Sequence, residues 1–509
     1  MAEKYLYGAS VQGIQDFIFK TDKLAEIVGA SELVEHICTT LFLQVSCLTE
    51  SDQAILQIAA GNVKCEFTDE TKLAYVVRNF PLEVQKMAPG ITISQAVVPV
   101  EGEDYLQKLE EKLKIQRNKI ATPLEIGFMG LERDRRTGEI AFKTREKQNG
   151  KLEVISESTT KKREVIQAEK ERKKEASKEN LFKKLSGLDV RNEEIAFNIE
   201  DISASGKNSW IAVIHADGNG LGQILQKHGK EISTNGKNRA FSMAIEDATK
   251  KAVQKAFEEI IKKDKNSWDS SNKFRYPIRP VVLGGDDLTV IIRADLALEF
   301  TTLFLEKFEE TSKIAFKTLG INELNHLTAC AGIAFVKKSY PLHYALHLAE
   351  ELCSDAKKKV KKDLTKNELP KSALAFHKVQ DSFVDDLDSL KRRTLNSKAW
   401  NFYHGPYLLL DEIKSIQKKL SIINDEATKG DKKTKAVGKL RQIVSESYKD
   451  KSTTIFMLSR MKEINTKFYN DLELDKELTK VSENDNKKST SPLLDLITLH
   501  GFNYGDKNN

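Results

Sequence analysis

The chain has 509 residues, long enough for two to four domains and a substantial buried core. Its 81 basic residues meet 75 acidic ones, leaving a net charge of +6, so the molecule as a whole is no polycation and basic charge is only local. Cys38, Cys47, Cys65, Cys330 and Cys353 include no CxxC pair, which argues against a disulfide framework or zinc site and for thiols in a reducing cytosol. No signal peptide and no bilayer-length apolar run is present, so a soluble, cytoplasmic protein without a membrane partner is expected.

In chain order, Tyr5 to Ser10 is a short strand-like run, and Leu24 to Val34 opens a long amphipathic helix. Pro123 to Phe128 suggests a strand and Arg133 to Glu139 a turn. Lys143 to Glu194 is dense in Lys, Glu, Ser and Asn. Within it, Lys161 to Lys184 reads either as a solvent-exposed helix or as a mobile linker.

Trp210 to Ile214 has the continuous apolar character of a buried strand. It runs into His215-Ala216-Asp217-Gly218-Asn219-Gly220-Leu221-Gly222, with a helical pattern from about Gln223. Asp217 therefore stands at a strand's end before a glycine-rich turn. Glycines let backbone approach a ligand closely, and a helix N-terminus offers N–H groups to phosphate. Gly218, Asn219, Gly220, Leu221 and Gly222 are accordingly candidate nucleotide contacts. An isolated Asp-Gly would more ordinarily cap the helix.

Pro280 to Leu283 and Leu288 to Ile292 are apolar runs flanking Gly284-Gly285-Asp286-Asp287. This reads as a β-hairpin whose glycine turn projects two adjacent carboxylates. Side by side they repel unless a cation sits between them, and a divalent metal is the usual answer. One Asp from a strand and two from a neighbouring hairpin is the ligand set of a two-metal nucleotidyl-transfer site. Asp217, Asp286 and Asp287 are thus the candidate catalytic and metal-binding residues, with the Gly218 backbone filling the metal shell and Gly284 and Gly285 beside the nucleotide.

Further on, Lys357, Lys358, Lys359, Lys361 and Lys362 crowd one helix end, ordinarily a solvated face. After Lys391 the pattern is helical near Tyr407 to Ile423, Ala436 to Tyr448 and Thr454 to Tyr469. Asn484 to Ser491 reads as a loose connection, and Leu493 to Ile497 as an apolar stretch that docks against the body.

The segments around Asp217 and Gly284 to Asp287 resemble the catalytic palm of the large subunit of type III CRISPR effector complexes, a family related to GGDEF cyclases and palm polymerases. Leu327 to Phe335, Tyr340 to Leu342 and Leu348 to Lys357 resemble that palm's fourth strand and following helix. Ser372 to His377 resembles the next strand. Tyr5 to Val34 resembles the family's first, non-catalytic palm. Ala54 to Phe67 takes the hairpin's place there, with Ala-Ala-Gly-Asn at its tip and no metal-holding acid, and Ile91 to Val98 is the fourth strand.

The resemblance implies an α+β chain of two ferredoxin-like palms and a C-terminal α-helical domain. The divisions are a degenerate palm over 1–122, a small strand and linker region over 123–204, the catalytic palm over 205–385, and helices over 386–509. It also implies Lys357 near a triphosphate, and two Mg²⁺ or Mn²⁺ ions at the three aspartates. The substrates are nucleoside triphosphates with ATP favoured, and the product is a cyclic oligonucleotide read by a downstream effector in antiviral defence. Gly29, Ala30 and Ser31, where a turn enters a helix, are the candidate surface for the acceptor nucleotide. RNA and CRISPR-complex subunits are the candidate partners.

The chain departs from the family where Asn219 stands in place of a second acid, where no zinc-binding cysteine cluster occurs, and where no His-Asp nuclease domain precedes the first palm. Two other readings stay open: an RNA-binding scaffold with a silent palm, and a GTP-using cyclase or a primer- or template-dependent polymerase.

Overall fold

The computed structural model describes the chain apart from residues 1–3, 60, 103, 120–127, 129, 147–149, 172–179, 189, 191, 204–208, 222–223, 225–237, 266–274, 321–324, 363, 365–368, 382–385, 429–434, 484–487 and 504–509. Its first unit runs β1 (Tyr5–Gln12), α1 (Leu24–His36), β2 (Ile55–Ala59), β3 (Asn62–Phe67), α2 (Glu70–Met87) and β4 (Thr92–Pro99). The strands form an antiparallel sheet in the order β2-β3-β1-β4, the βαββαβ arrangement of ferredoxin-like units. β3 alternates half-buried and buried residues, as a strand with one wetter face does. Asp69 starts α2 by accepting the Thr71 and Lys72 amides.

α1 is buried on two sides, because a second helix, α3 (Glu157–Glu171), lies across it. A Cβ added at Gly29 would sit 2.0 Å from the Lys162 carbonyl oxygen, so glycine is what lets the two backbones touch. The expectation of a solvent-exposed helix or mobile linker over Lys161 to Lys184 is corrected for its described residues, 172–179 lying outside them. The helix begins at Glu157, and Lys162, Ile166 and Glu169 are buried. These charges enter the interior because each finds a partner. Lys162 Nζ donates to the Phe17 carbonyl at 2.6 Å, and Glu169 lies 3.3 Å from Arg279. The start of the charged stretch is likewise ordered, as the ribbon β5 (Ala141–Glu146) and β6 (Leu152–Ser156). The turn expected at Arg133 to Glu139 is closed by a bridge between Arg133 and Ile140, whereas the strand expected over Pro123 to Phe128 lies, but for Phe128, outside the described residues.

The second unit contains β7 (Trp210–Gly218), α4 (Asn238–Lys265), β8 (Ile278–Gly284), β9 (Asp287–Arg293), α5 (Ala294–Leu319), β10 (Ala329–Lys337), α6 (Leu342–Lys362), β11 (Ala373–Lys378) and β12 (Tyr407–Leu408). Its sheet order is β12-β11-β10-β7-β9-β8, and the four strands β10-β7-β9-β8 repeat the order of the first sheet. β7 is central, which explains its continuous apolar run: Ile211 to Ile214 are all fully buried. The two units meet where Ser31 of α1 donates to the Val281 carbonyl of β8.

Downstream, Tyr407 and Leu408 pair with β11 at the sheet edge instead of opening a helix, a correction to the helical reading from Tyr407. The helices are Glu412–Thr428, Lys435–Ser447, Lys451–Ile464, Thr466–Asp471, Leu474–Glu483 and Leu493–Asn503. Asn465 breaks the run expected through Tyr469 by capping a new helix at the Phe468 amide. The last helix docks as expected, with Leu493, Leu496, Leu499 and Phe502 buried and the Phe502 ring stacked 4.4 Å from Phe335 of β10. Among the described residues no helix is long and apolar enough to cross a membrane.

Gly29→Ala tests the reading of α1 as a packed helix. Loss of the backbone contact with α3 is expected to cost about 1–3 kcal/mol in urea unfolding, whereas a solvent-facing Gly29 would tolerate alanine or gain from it.

Candidate active site

β8 and β9 form a hairpin in which Gly284 pairs with Asp287, leaving Gly285 and Asp286 as the two-residue loop. Gly285 takes φ +61°, the left-handed conformation that the first loop position of a II′ turn reserves for glycine. The turn is braced from α4, where Thr249 Oγ1 donates to the Gly285 carbonyl at 2.7 Å. β7 lies beside β9, so the end of β7 arrives next to this turn. A Cβ at Gly218 would fall 2.6 Å from Asp286 Oδ2, so the glycine after Asp217 makes room for the second carboxylate.

The result is one acidic centre. Asp217, Asp286 and Asp287 each present a carboxylate oxygen, and these atoms lie within 4.8 Å of one another, the one such group of metal-ligating side chains among the described residues. Burial, together with the Asp217 charge, pushes the Asp286 carboxyl up to about 6 and that of Asp287 up to about 8. Lys357 of α6 partly neutralises the centre. Its Nζ donates to Asp217 and, at 3.0 Å, to the Gly218 carbonyl. Burial works to lower the lysine pKa, but the hydrogen bond and charge of Asp217 outweigh it and hold the ammonium above its ordinary value. An all-oxygen cluster with one cation for three acids has the donor chemistry of a hard divalent ion, and the residues fit Mg²⁺ or Mn²⁺.

The other expected contacts divide. Gly284 and Gly285 form the turn itself, and Gly220 adopts φ +74° just past β7. Leu221 is half-buried, and Gly222 lies outside the described residues. Asn219 is corrected: it is 1% exposed, and its Nδ2 donates to Thr328 Oγ1 at 3.1 Å and to the Lys371 carbonyl at 3.4 Å, so it ties β7 to β10 and its neighbour strand. Gly29 and Ala30 are corrected too. They lie in mid-helix against α3, buried, not at a turn entering a helix. Ser31 alone of the three reaches a cleft of about 410 Å³ that also touches His215, Gly284, Asp287 and Thr289.

Two contributors had no assigned role in the sequence. Thr249 sits far from the turn along the chain and nothing nearby marks it. His215 does carry a signal: it lies two residues before Asp217 on the same strand face. Its Nδ1 is 3.1 Å from Thr289 Oγ1, and burial pushes its pKa down. A larger cleft of about 840 Å³ opens between the end of β1, Arg135 and Arg136, and His343 and His347 of α6.

Residues 210–366 match the family model described as Cas10/Cmr2, second palm domain. None of the curated proteins matches the chain. Among solved structures, the fold is similar to a Csm1-Csm4 cassette in complex with cA4, with TM-score 0.57 and 13% identity over 98% of this chain and 70% of that one. A Csm1-Csm4 cassette in complex with one ATP gives TM-score 0.53 and 13% identity, again over 98% and 70%. A Csm1-Csm4 subcomplex of the type III-A CRISPR-Csm interference complex gives TM-score 0.53 and 13% identity over 94% and 69%. At such identity the likeness is one of fold. The palm match covers residues 210–366, the stretch that carries the three aspartates and Lys357.

A carboxyl whose pKa rises on folding makes the folded state the stronger proton binder. Stability in the absence of metal therefore falls as pH climbs from the ordinary carboxyl value near 4 toward about 8. In EDTA, the thermal midpoint is expected to drop across that window. Asp287→Asn should flatten the drop and raise the midpoint at pH 8 by a few degrees, and Lys357→Ala should steepen it. Added Mn²⁺ should stabilise the wild type more at pH 8 than at pH 6, and a pH-independent effect would contradict these ionisations.

Proposed function

We propose that this protein is a metal-dependent nucleotidyltransferase that condenses nucleoside triphosphates, ATP first among them, into a cyclic oligonucleotide, releasing pyrophosphate. The observation that carries the reading is the convergence of Asp217, Asp286 and Asp287 at the end of β7 and the β8–β9 turn, with Lys357 against them. The palm match over residues 210–366 supports the reaction class, and the ATP and cA4 named in the similar Csm1-Csm4 structures support adenylate as the nucleotide.

On this reading Asp217 and the Asp286–Asp287 pair hold two Mg²⁺ or Mn²⁺ ions. When bound, such ions lower the pKa of an attacking 3′-hydroxyl and neutralise the leaving pyrophosphate. The chain's own residues do the rest. The II′ turn, braced by Thr249, fixes the two adjacent carboxylates before substrate arrives, so no reorganisation is needed at the moment of reaction. Lys357, paired with Asp217, has its ammonium at hand for triphosphate oxygens once that carboxylate is engaged. Gly218 leaves room for the Asp286 carboxylate, and Gly285 supplies the positive φ of the turn. The cleft touching Ser31, His215 and Asp287 adjoins the carboxylates and is open to a nucleotide.

The first unit is proposed as a degenerate palm. Its sheet repeats the order of the second, and between the paired Ala59 and Asn62 of its β2–β3 hairpin the described residue is Gly61, where the other hairpin carries Gly285 and Asp286. Holding the acceptor nucleotide would be its contribution, since positioning two reactants is worth several kcal/mol. The domain divisions at 122, 204 and 385, partnership with RNA and CRISPR-complex subunits, and a downstream effector that senses the product belong to the same proposal.

Purified protein incubated with each of the four NTPs and Mn²⁺ or Mg²⁺, with and without RNA, should release pyrophosphate and yield a product whose mass identifies a cyclic oligoadenylate. Asp286→Ala with Asp287→Ala should lower the rate by at least about a hundredfold, as expected when electrostatic stabilisation of the transition state is lost. Absence of pyrophosphate from every NTP would falsify the proposal.

A further inference from the structure

Helix α6 presents two polar faces with different tasks. Lys357 points to the acidic centre. Glu351, Asp355 and Lys359, spaced at i, i+4 and i+8, form a stripe along another face. With 3.6 residues per turn, Lys357 stands about 200° from Asp355 and from Lys359, so the stripe looks away from the carboxylates.

Each member of the stripe grips the stretch that leads from β11 through β12 into the C-terminal helices. Glu351 Oε2 accepts the Leu387 amide at 2.8 Å. Asp355 uses both oxygens: Lys391 Nζ donates to Oδ1 at 3.0 Å and Tyr403 Oη to Oδ2 at 2.7 Å. The same Lys391 ammonium lies 4.0 Å from the centre of the Tyr403 ring. Lys359 Nζ donates to the Pro406 carbonyl at 2.5 Å and to Glu412 Oε2 at 3.0 Å, and Glu412 Oε2 also accepts the Leu408 amide at 2.8 Å. The Asp355 and Lys391 side chains are 22% and 23% exposed, so this pair is sheltered from the screening that makes surface ion pairs weak.

The opposite restraint comes from the sheet. A Cβ at Gly332 of β10 would meet the Ala349 carbonyl oxygen at 1.9 Å, so helix and strand touch backbone to backbone there. One such contact sets how close α6 lies to the sheet, but rotation about the helix axis is left to side chains. Turning the helix by roughly 20° would carry the tip of a lysine about 2–3 Å, given the helix radius and the length of the side chain. That is enough to break the hydrogen bonds from Lys357.

We propose that the segment 387–412 sets the rotation and register of α6 and so delivers Lys357 to the carboxylates, making Asp355, Lys359, Tyr403 and Glu412 positioning residues for the reaction. The inference rests on the nucleotidyl-transfer reading of the site. It assigns the entry to the C-terminal helices a part in the chemistry, although none of these residues touches the acidic centre.

A double-mutant cycle on the full chain tests it, with two readouts: turnover of ATP and affinity for Mn²⁺ alone. Asp355→Ala and Glu412→Gln are each expected to lower kcat about tenfold to a hundredfold, the loss that a misplaced group produces, with KM for ATP little changed. Both should tighten Mn²⁺ in the direction that Lys357→Ala does, because the competing ammonium has left Asp217. In the Lys357→Ala background neither substitution should have any further effect. Tyr403→Phe removes one hydrogen bond without a cavity and should show a weaker form of the same pattern if Asp355→Ala fails to fold. Additive losses in the double variants, or unchanged kcat and Mn²⁺ affinity in the single ones, overturn the proposal. If the wild type turns over no NTP, the reaction itself is wrong, and the Mn²⁺ arm still decides whether the clamp reaches Lys357.

Discussion

Three carboxylates within a few ångströms repel one another, and much of the second unit is arranged to hold them there. Asp286 and Asp287 are forced side by side by a two-residue turn that closes on glycine at φ +61°, and Asp217 is brought to them by the pairing of β7 with β9. Burial raises the cost of ionising them, which is why two of the three carboxyls are pushed upward in pKa. Lys357 offsets part of that cost. A site so charged is poised for a divalent cation, whose binding would relieve the repulsion that folding created.

The scaffold under this centre is stiff because it is locked at the level of backbone. Gly332 against Ala349 and Gly29 against Lys162 are two places where backbones touch and a methyl group would not fit, and at Gly218 the Asp286 side chain takes that space. The first unit is bound to the second through charge as well. Glu32 of α1 and Glu169 of α3 face the fully buried Arg279 of β8, the strand that leads into the acidic turn. One guanidinium shared by two carboxylates leaves Glu32 short of compensation, and burial with the nearby Glu169 charge pushes its carboxyl up to about 7. Removing Arg279 would take a buried cation away from both acids, so this cluster binds the halves strongly only while it is complete.

The helices of the C-terminal region form the third layer of support. Phe502 stacks on Phe335 and lies 5.9 Å from Trp210, so the last helix covers the end of the sheet remote from the carboxylates. The segment between sheet and helices runs along α6 and holds it from behind. Core, strand and clamp thus act on a single side chain, the Lys357 ammonium, from three directions.

Local pattern was enough to read the acidic turn, the strand bearing Asp217 and the alternation of strands and helices, because hairpins and buried strands depend on neighbours a few residues away. It misjudged residues whose partners are distant. Lys162 and Glu169 look like solvent charges until the Phe17 carbonyl and Arg279 supply their contacts, and Asn219 looks like a ligand contact until Thr328 and Lys371 accept from its amide nitrogen. Gly29 looks like a turn until α3 is laid across it. The amino-acid order by itself determined which residues carry charge and which loops bend sharply, since both follow from side-chain chemistry and backbone sterics. Only the tertiary structure decided which charges are buried, which are paired and which are left facing a cleft, because desolvation and pairing energies arise between segments that the sequence holds far apart.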